Sequence, residues 1–467
     1  MSKSFHYLNL HERKLEMPGL MRVSTKLPQL CAFILVFSSV IYTTHVLFLS
    51  PMCAYISTVL NSLFAKPHSH QGLDMRGQPK GPGQSLSGFA WFSSPFVLQN
   101  GLGHLSPIPV DEKTLLSKAF ANSMRPSDIR PYFYRARGSF AADCITITTL
   151  ITSNRFEVFA RLVGKYRGPI SVTVHVKNVA EHVEEVLESL REMYTTSEAM
   201  MQFVDVHVVI DAFDRQFNTW RNIARLFART DFVMMLDIDF YPCTDFRSVI
   251  KRSSTILDKL YAGRAALVVP AFEYVDFHEG TNYASFPTKK SGLLSLVKER
   301  RVDMFHAFWG PGHNSSDYKR FYSAFSGEVY KVTKYQSAYE PYVIFKKDGP
   351  PWCDERFVGY GGNKAACLFE MYLSGISYYV LADHFIIHQN HLYEETARKN
   401  ERRINRKVYA EYKEEACLRY LKKYHDRGAL DSDLAENALA ECRKLKSVTR
   451  SMPQVRLLEA LFLGLLV

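Results

Sequence analysis

The sequence predicts an α/β domain with a mostly parallel central sheet, preceded by a transmembrane helix. Three observations carry this expectation. Short β-rich runs alternate with amphipathic stretches between residues 145 and 236. The last of those runs is apolar throughout, as a strand buried on both faces must be. An uncharged stretch near the N-terminus is long enough to cross a bilayer.

Ile145–Leu150 is rich in branched residues and reads as a strand; Phe156–Lys165 is amphipathic and reads as a helix. Ile170–Val176 alternates with period two, the pattern of a strand, and Val179–Tyr194 has helical spacing with acidic residues on one face. Val204–Ile210 is another strand. Asn218–Ala228 is helical, with Trp220, Ile223 and Phe227 about one turn apart, and Phe232–Leu236 is the continuous apolar run. In open α/β sheets ligands bind beyond the carboxyl ends of the strands, so a ligand site is expected in the residues just after Leu236.

With 467 residues, 47% of them hydrophobic and 13% aromatic, the chain can bury a large core, and disorder over its whole length is excluded. The formal net charge is +11, but the basic residues are spread along the chain, and neither zinc-finger spacing nor an RNA-recognition signature accompanies them. A nucleic-acid partner is not expected. None of the eight cysteines forms a CxxC pair, which argues against structural zinc. Six of them lie beyond the apolar N-terminal stretch and can pair in a lumenal domain, but sequence does not say how.

No Asp, Glu, Lys or Arg occurs from Leu27 to Ala65, and Leu30–Ser50 supplies about the 20 residues a bilayer core requires. The basic residues before it leave the N-terminus in the cytoplasm, a type II topology; a cleaved signal peptide and a buried helix are the rival readings. The layout expected is a tail over 1–29, an anchor over 30–50, a stem and linker over 51–140, a catalytic domain over 141–427 and a C-terminal extension over 428–467. The apolar end, Leu457–Val467, is too short to span a bilayer.

The run MLDIDFYP, residues 235–242, places Asp237 and Asp239 just past the buried strand. One intervening residue lets both carboxylates point to one side of an extended chain. Hard oxygen ligands of this kind suit Mn²⁺ or Mg²⁺ bridging protein to a diphosphate. A bare D-x-D is common by chance and also serves to cap loops; its position after a hydrophobic strand gives it weight.

Three stretches resemble glycosyltransferase family 49, over roughly Ile145 to Tyr424. They are NTWRNIARLFARTDFVMMLDIDFYP (218–242), YEPYVIFKKDGPPWCDERFVGYGGNKAACLFEMYLSG (339–375) and YYVLADHFIIHQNH (378–391). The resemblance implies a GT-A-like fold, a nucleotide-sugar donor, a glycan or glycoprotein acceptor, and a Golgi membrane enzyme with its catalytic domain in the lumen. It implies inverting transfer, with a retaining transferase of the same metal site as the rival, and glucuronic acid as the sugar of the family's pattern. On the same basis Asp354, and after it Glu355, are candidates for the general base. Arg221, Asn222, Gly361 and Lys364 join Asp237 and Asp239 as donor-site candidates, and His388 joins the two aspartates as a metal ligand. Each has a plainer reading: Asp354 pairing with Arg356, Arg221 on a solvated helix face, Asn222 in a local hydrogen bond, Lys364 at the surface, Gly361 in an ordinary turn, His388 as a structural residue at a strand end. His391 falls outside the pattern and is not among the expected ligands. Some members carry two transferase domains and this chain has room for one. The loop Phe277–Ser323, expected at the acceptor, matches poorly.

Asn314-Ser315-Ser316 is the only N-x-S/T sequon beyond the anchor, so Asn314 is a glycosylation candidate, and Glu394–Tyr424 reads as a charged, solvated helix. A rival from another class is a non-catalytic lumenal protein, descended from a transferase, that binds glycans or nucleotides.

Overall fold

A computed structural model describes residues 89–90, 109–110, 127–392 and 395–452. All of the described residues lie in one compact unit, 86–467. The expected anchor at 30–50 and the apolar end at 457–467 lie outside the described residues. Among those described, no helix is long and apolar enough to cross a membrane.

Thirteen strands carry the architecture: β1 (Asp128–Tyr134), β2 (Ile145–Ile151), β3 (Ile170–Lys177), β4 (Val204–Asp211), β5 (Phe232–Met235), β6 (Phe240–Pro242), β7 (Ala265–Val269), β8 (Ala271–Tyr274), β9 (Val302–Met304), β10 (Val329–Lys331), β11 (Tyr342–Lys346), β12 (Ser377–Leu381) and β13 (Ile386–His388). The helices that matter here are α1 (Phe156–Tyr166), α2 (Ala180–Thr196), α3 (Phe217–Leu226), α4 (Asn363–Leu373) and α5 (Glu395–Asp426). The elements expected between residues 145 and 236 all form, each within about two residues of its expected bounds.

Nine strands make one sheet in the order β10-β12-β7-β11-β5-β2-β3-β4-β1. The block β5-β2-β3-β4 is parallel, as the alternation of strand and helix demands. Beyond it the expectation of a mostly parallel sheet needs correction. β11 runs antiparallel to both β5 and β7, β1 antiparallel to β4, and β10 antiparallel to β12, so the sheet is mixed. The reason is that β1, β10 and β11 pair with strands distant in sequence, and local periodicity carries no information on direction.

A second sheet of four short strands, β9-β8-β13-β6, stands beside the first. β6 follows the D-x-D turn directly, and β13 runs antiparallel to it with His388 opposite Phe240.

The core lies on both faces of the large sheet. One face packs α1 and α2 through Phe159, Leu162, Leu190 and Tyr194; the other packs α4 and the far half of α5. α5 is therefore more than a solvated helix: Tyr412, Ala416, Cys417, Tyr420, Leu421 and Tyr424 are buried. The sheet begins at Asp128, within the stretch read as stem and linker. Ala435, Leu439, Cys442 and Val448 join the core from the stretch read as an extension. Disulfides link Cys353 to Cys367 and Cys417 to Cys442.

Candidate active site

The site gathers at the carboxyl ends of β2 and β5. β5 ends at Met235, and the next residues form the turn that carries Asp237 and Asp239. The two carboxylates serve different partners.

Asp237 faces the cations. Its carboxylate accepts from Lys364 Nζ at 2.9 Å, Arg221 Nη2 at 3.2 Å and Tyr342 Oη at 3.0 Å. Burial pushes this carboxyl up, but the Lys364 ammonium and the Arg221 guanidinium more than reverse that and hold it well below the usual carboxylate range. Lys364 is no surface lysine: its side chain is 6% exposed and its ammonium lies 3.8 Å from the centre of the Tyr342 ring.

Asp239 faces the histidines. It lies 3.1 Å from His391 Nε2 and 3.4 Å from Arg155 Nε, four residues past the end of β2. The strand register explains the company. Pairing of β6 with β13 sets His388 opposite Phe240, and the Gln389 N–H continues the ladder by donating to the Asp239 carbonyl at 2.7 Å. The chain then turns and brings His391 back over the same spot. Asp239, His388 and His391 each offer a ligand atom, all within 4.8 Å of one another. His388 is 4% exposed and packs between Phe240 and Phe305; burial depresses its pKa to about 4, so the imidazole is neutral, as a metal ligand must be. Of the expected ligands, Asp239 and His388 thus meet, Asp237 stands apart with Lys364, and His391 enters. The sequence signal for His391 was present, three residues after His388 at the end of a strand. His306 and His313 sit between the two halves; burial lowers the pKa of both, with Lys364 adding to the effect.

α3 shows why the other candidates are where they are. Asn218, Arg221, Asn222 and Arg225 fall at i, i+3, i+4 and i+7 and form one polar stripe, while Trp220, Ile223 and the following Phe227 pack on Tyr132 and Val209. The stripe clamps the loop 347–363. Asn218 donates to the Asp354 carbonyl at 2.7 Å; Asn222 donates to the Cys353 carbonyl at 2.8 Å and to Glu355 Oε1 at 2.7 Å. Arg225 donates to the carbonyls of Lys347, Pro350 and Pro351. Asn222 thus holds a loop distant in the chain rather than making the local hydrogen bond of its plainer reading, while Arg221 reaches Asp237 and, at 2.7 Å, Asn363. Asn218 and Arg225 were not singled out in the sequence, although their helical spacing from Arg221 and Asn222 was visible there.

Asp354 Oδ1 takes both the backbone N–H and the Nε–H of Arg356, at 3.0 and 2.9 Å, and Arg356 is held in turn by Glu415 at 2.5 Å. Both bonds fall on one oxygen, so Asp354 pairs with Arg356 as in its plainer reading. Gly361 has φ +93°, and a Cβ there would stand 3.1 Å from the Arg402 Cα, so glycine is required for the loop to pack on α5. Glu340 is half-buried near Lys364, and its carboxylate meets the first turn of α4 at the Ala365 N–H. Asn314 is exposed, while Ser316 is buried and bonded to Tyr339 Oη at 2.7 Å.

An α/β protein with a carboxylate–imidazole cluster and a buried cation pocket, side by side at the carboxyl end of its sheet, is a protein built to hold charged ligands there. The profile of the family described as "Glycosyl-transferase for dystroglycan" matches residues 144–217 and 211–421, and the chain belongs to that family, glycosyltransferase family 49. Among curated proteins, a xylosyl- and glucuronyltransferase LARGE2 of Rattus norvegicus is 33% identical over 255 residues, 53% of this chain and 34% of that protein. A xylosyl- and glucuronyltransferase LARGE1 of Homo sapiens is 28% identical over 267 residues, 56% of this chain and 33% of that protein. The chain spans about a third of the length of these relatives. A solved structure titled "Crystal structure of GalNAc-T7 with UDP, GalNAc and Mn2+" aligns over 52% of this chain and 43% of that one, with 10% identity and a TM-score of 0.33, a likeness too slight to carry an argument.

Proposed function

We propose that the chain is a metal-dependent glycosyltransferase that moves a sugar, glucuronic acid on the family's pattern, from a nucleotide-sugar donor to a glycan or glycoprotein acceptor with inversion. The observation that carries the reading is the convergence of Asp239, His388 and His391 within 4.8 Å, beside the Asp237–Lys364–Arg221 cluster.

One carboxylate with two imidazoles fits Mn²⁺ better than Mg²⁺, which favours oxygen ligands. Asp239, His388 and His391 would hold the ion, and when bound it supplies positive charge to the departing nucleoside diphosphate. The chain's own residues do the rest. Lys364, paired with Asp237, and Arg221 set a positive potential at the donor's phosphates. Tyr342 and Asp237 fix the ammonium in place. Asp354 takes the proton of the acceptor hydroxyl as that oxygen attacks the anomeric carbon. Arg356 holds Oδ1 and leaves Oδ2 to receive the proton. Glu355, bonded to Asn222, is the second choice for this role.

The two disulfides suit an oxidising compartment, in keeping with a Golgi lumenal domain on a type II anchor at residues 30–50. The test is turnover of a panel of nucleotide-sugars by the purified protein, before and after EDTA and with Mn²⁺ restored. Activity that EDTA leaves undiminished would exclude the metal-dependent reading. Absence of turnover, with nucleoside diphosphate still bound in Mn²⁺, would favour the non-catalytic binding protein.

A further inference from the structure

The loop after β9 puts two aromatic side chains into water beside the site. Phe308 is 86% exposed and Trp309 47%. Both sit on a root that is anything but loose. Phe305 stacks on His306 with ring centres 3.9 Å apart, and packs on His388 at 4.9 Å. The His306 N–H donates to Glu273 Oε1 at 2.9 Å, and the Trp309 N–H to the His306 carbonyl at 2.8 Å. His306 adopts φ +53°, a left-handed conformation that side chains other than glycine rarely take. On the far side, the Glu340 N–H donates to the Gly312 carbonyl at 2.8 Å, and the Ser316 hydroxyl bonds Tyr339 Oη.

The indole itself is seated. A Cβ on Gly312 would lie 3.2 Å from Trp309 Cε3 and Cζ3, so the six-membered ring rests on the Gly312 backbone, while nearly half of the residue's surface stays open to solvent. Burying the indole elsewhere would gain free energy. Instead the fold spends a left-handed histidine and a glycine to hold it half bare, next to Phe308 and on the same short loop that buttresses His388. Strain at such a place is a sign of use. A half-exposed, immobilised aromatic ring is suited to the apolar face of a pyranose, whose axial C–H groups meet the ring's electron-rich face.

We infer that Trp309, with Phe308 beside it, is the stacking platform for a pyranose ring of the glycan acceptor. The inference rests on the transferase reading for the identity of the ligand, and it concerns a loop that matches the family pattern poorly. Trp309 is a specificity residue here, and Gly312 positions it.

The experiment has two readouts on the full chain. The first is saturation-transfer NMR with methyl β-pyranosides of glucose, galactose, xylose and N-acetylglucosamine. At least one should show transfer in the wild type, fall to background in Trp309→Ala and remain in Trp309→Phe. Gly312→Ala, which pushes the ring off its seat, should weaken it. The second readout is transfer to the sugar that binds. Trp309→Ala should raise the acceptor KM by ~10-fold, with the donor KM and acceptor-free donor hydrolysis within twofold of wild type. Pyranoside signals unchanged in Trp309→Ala, or donor hydrolysis lost together with acceptor binding, would overturn the platform. Intact pyranoside signals that depend on Trp309, in a wild-type protein that turns over no nucleotide-sugar, support the platform and strike the transferase reading instead.

Discussion

The two aspartates of the D-x-D turn are expected to fail in different ways when substituted, because they belong to different halves of the site. Asp237 neutralises two buried cations, Lys364 Nζ at 2.9 Å and Arg221 Nη2 at 3.2 Å, whose side chains are 6% and 10% exposed. Asp237→Asn keeps the volume and removes the charge. Each contact has a gross attraction of ~5 kcal/mol at an effective dielectric constant of ~20. Most of that offsets desolvation, and the variant reports the cost of leaving two cations without their anion. Breaking a buried pair costs ~3–5 kcal/mol. Because the Asp237 side chain is itself 33% exposed, water reaches the pair and the lower end applies. For a domain the size of residues 127–452, a loss of ~3 kcal/mol lowers Tm by ~4–5 °C. The sign of the pH dependence follows from a carboxyl held below its ordinary range. Its contribution is complete above about pH 4, near the unfolded value, and is lost as pH falls through the folded one, so the gap between wild type and Asp237→Asn should persist at all higher pH.

Asp239→Asn should behave in the opposite manner. Its partners Arg155 and His391 stand at the rim, and removing the charge costs under ~1 kcal/mol, a Tm shift of ~1 °C. It also removes the only carboxylate of the three-residue cluster. Scanning calorimetry and Mn²⁺ titration calorimetry on both variants decide the matter. The expected result is a lower Tm with Mn²⁺ binding retained for Asp237→Asn, and an unchanged Tm with Mn²⁺ binding lost for Asp239→Asn. Equal loss of Mn²⁺ binding in both would make both aspartates ligands and refute the division of labour.

Three further outcomes can be checked. Asp354→Asn should lower kcat by at least ~100-fold with donor binding retained, whereas Glu340→Gln, which touches a helix cap, should change Tm more than kcat; steady-state kinetics beside thermal melts separate them. Removing the Cys353–Cys367 bridge with a double Ala variant opens a loop with a sequence separation of 14 and should cost ~3 kcal/mol, with kcat falling as well because Asp354 rides on that loop; melts and kinetics of the oxidised wild type are the comparison. His207 is fully buried with its pKa pushed down to about 3, so the unfolded chain takes up its proton first as pH falls below about 6.5, and stability should drop by ~1.4 kcal/mol per pH unit toward pH 3; denaturant titrations across that window should show a shallower slope for His207→Asn.

Much of the fold could be read along the chain. The parallel block from β2 to β5 is built by consecutive strands and helices whose periodicities are local, and its carboxyl end pointed to Asp237 and Asp239. His388 was reachable through the resemblance to the family. β11 was not legible as the antiparallel strand between β5 and β7, because a short run such as YVIFK is the same whichever way its neighbours run.

What the sequence alone determined is the class of chemistry at the end of the sheet: two acidic residues after a buried strand and a histidine after a later one. What the tertiary structure decided is how they divide. The register of β6 against β13, two strands far apart in the chain, brings His388 and His391 to Asp239. The polar stripe of α3 and the first turn of α4 claim Asp237 for Arg221 and Lys364. Neither pairing leaves a trace in local periodicity, because each depends on which distant backbones share hydrogen bonds. The side chains that meet are set by that register, as are the one carboxylate available to a metal and the one committed to a buried lysine.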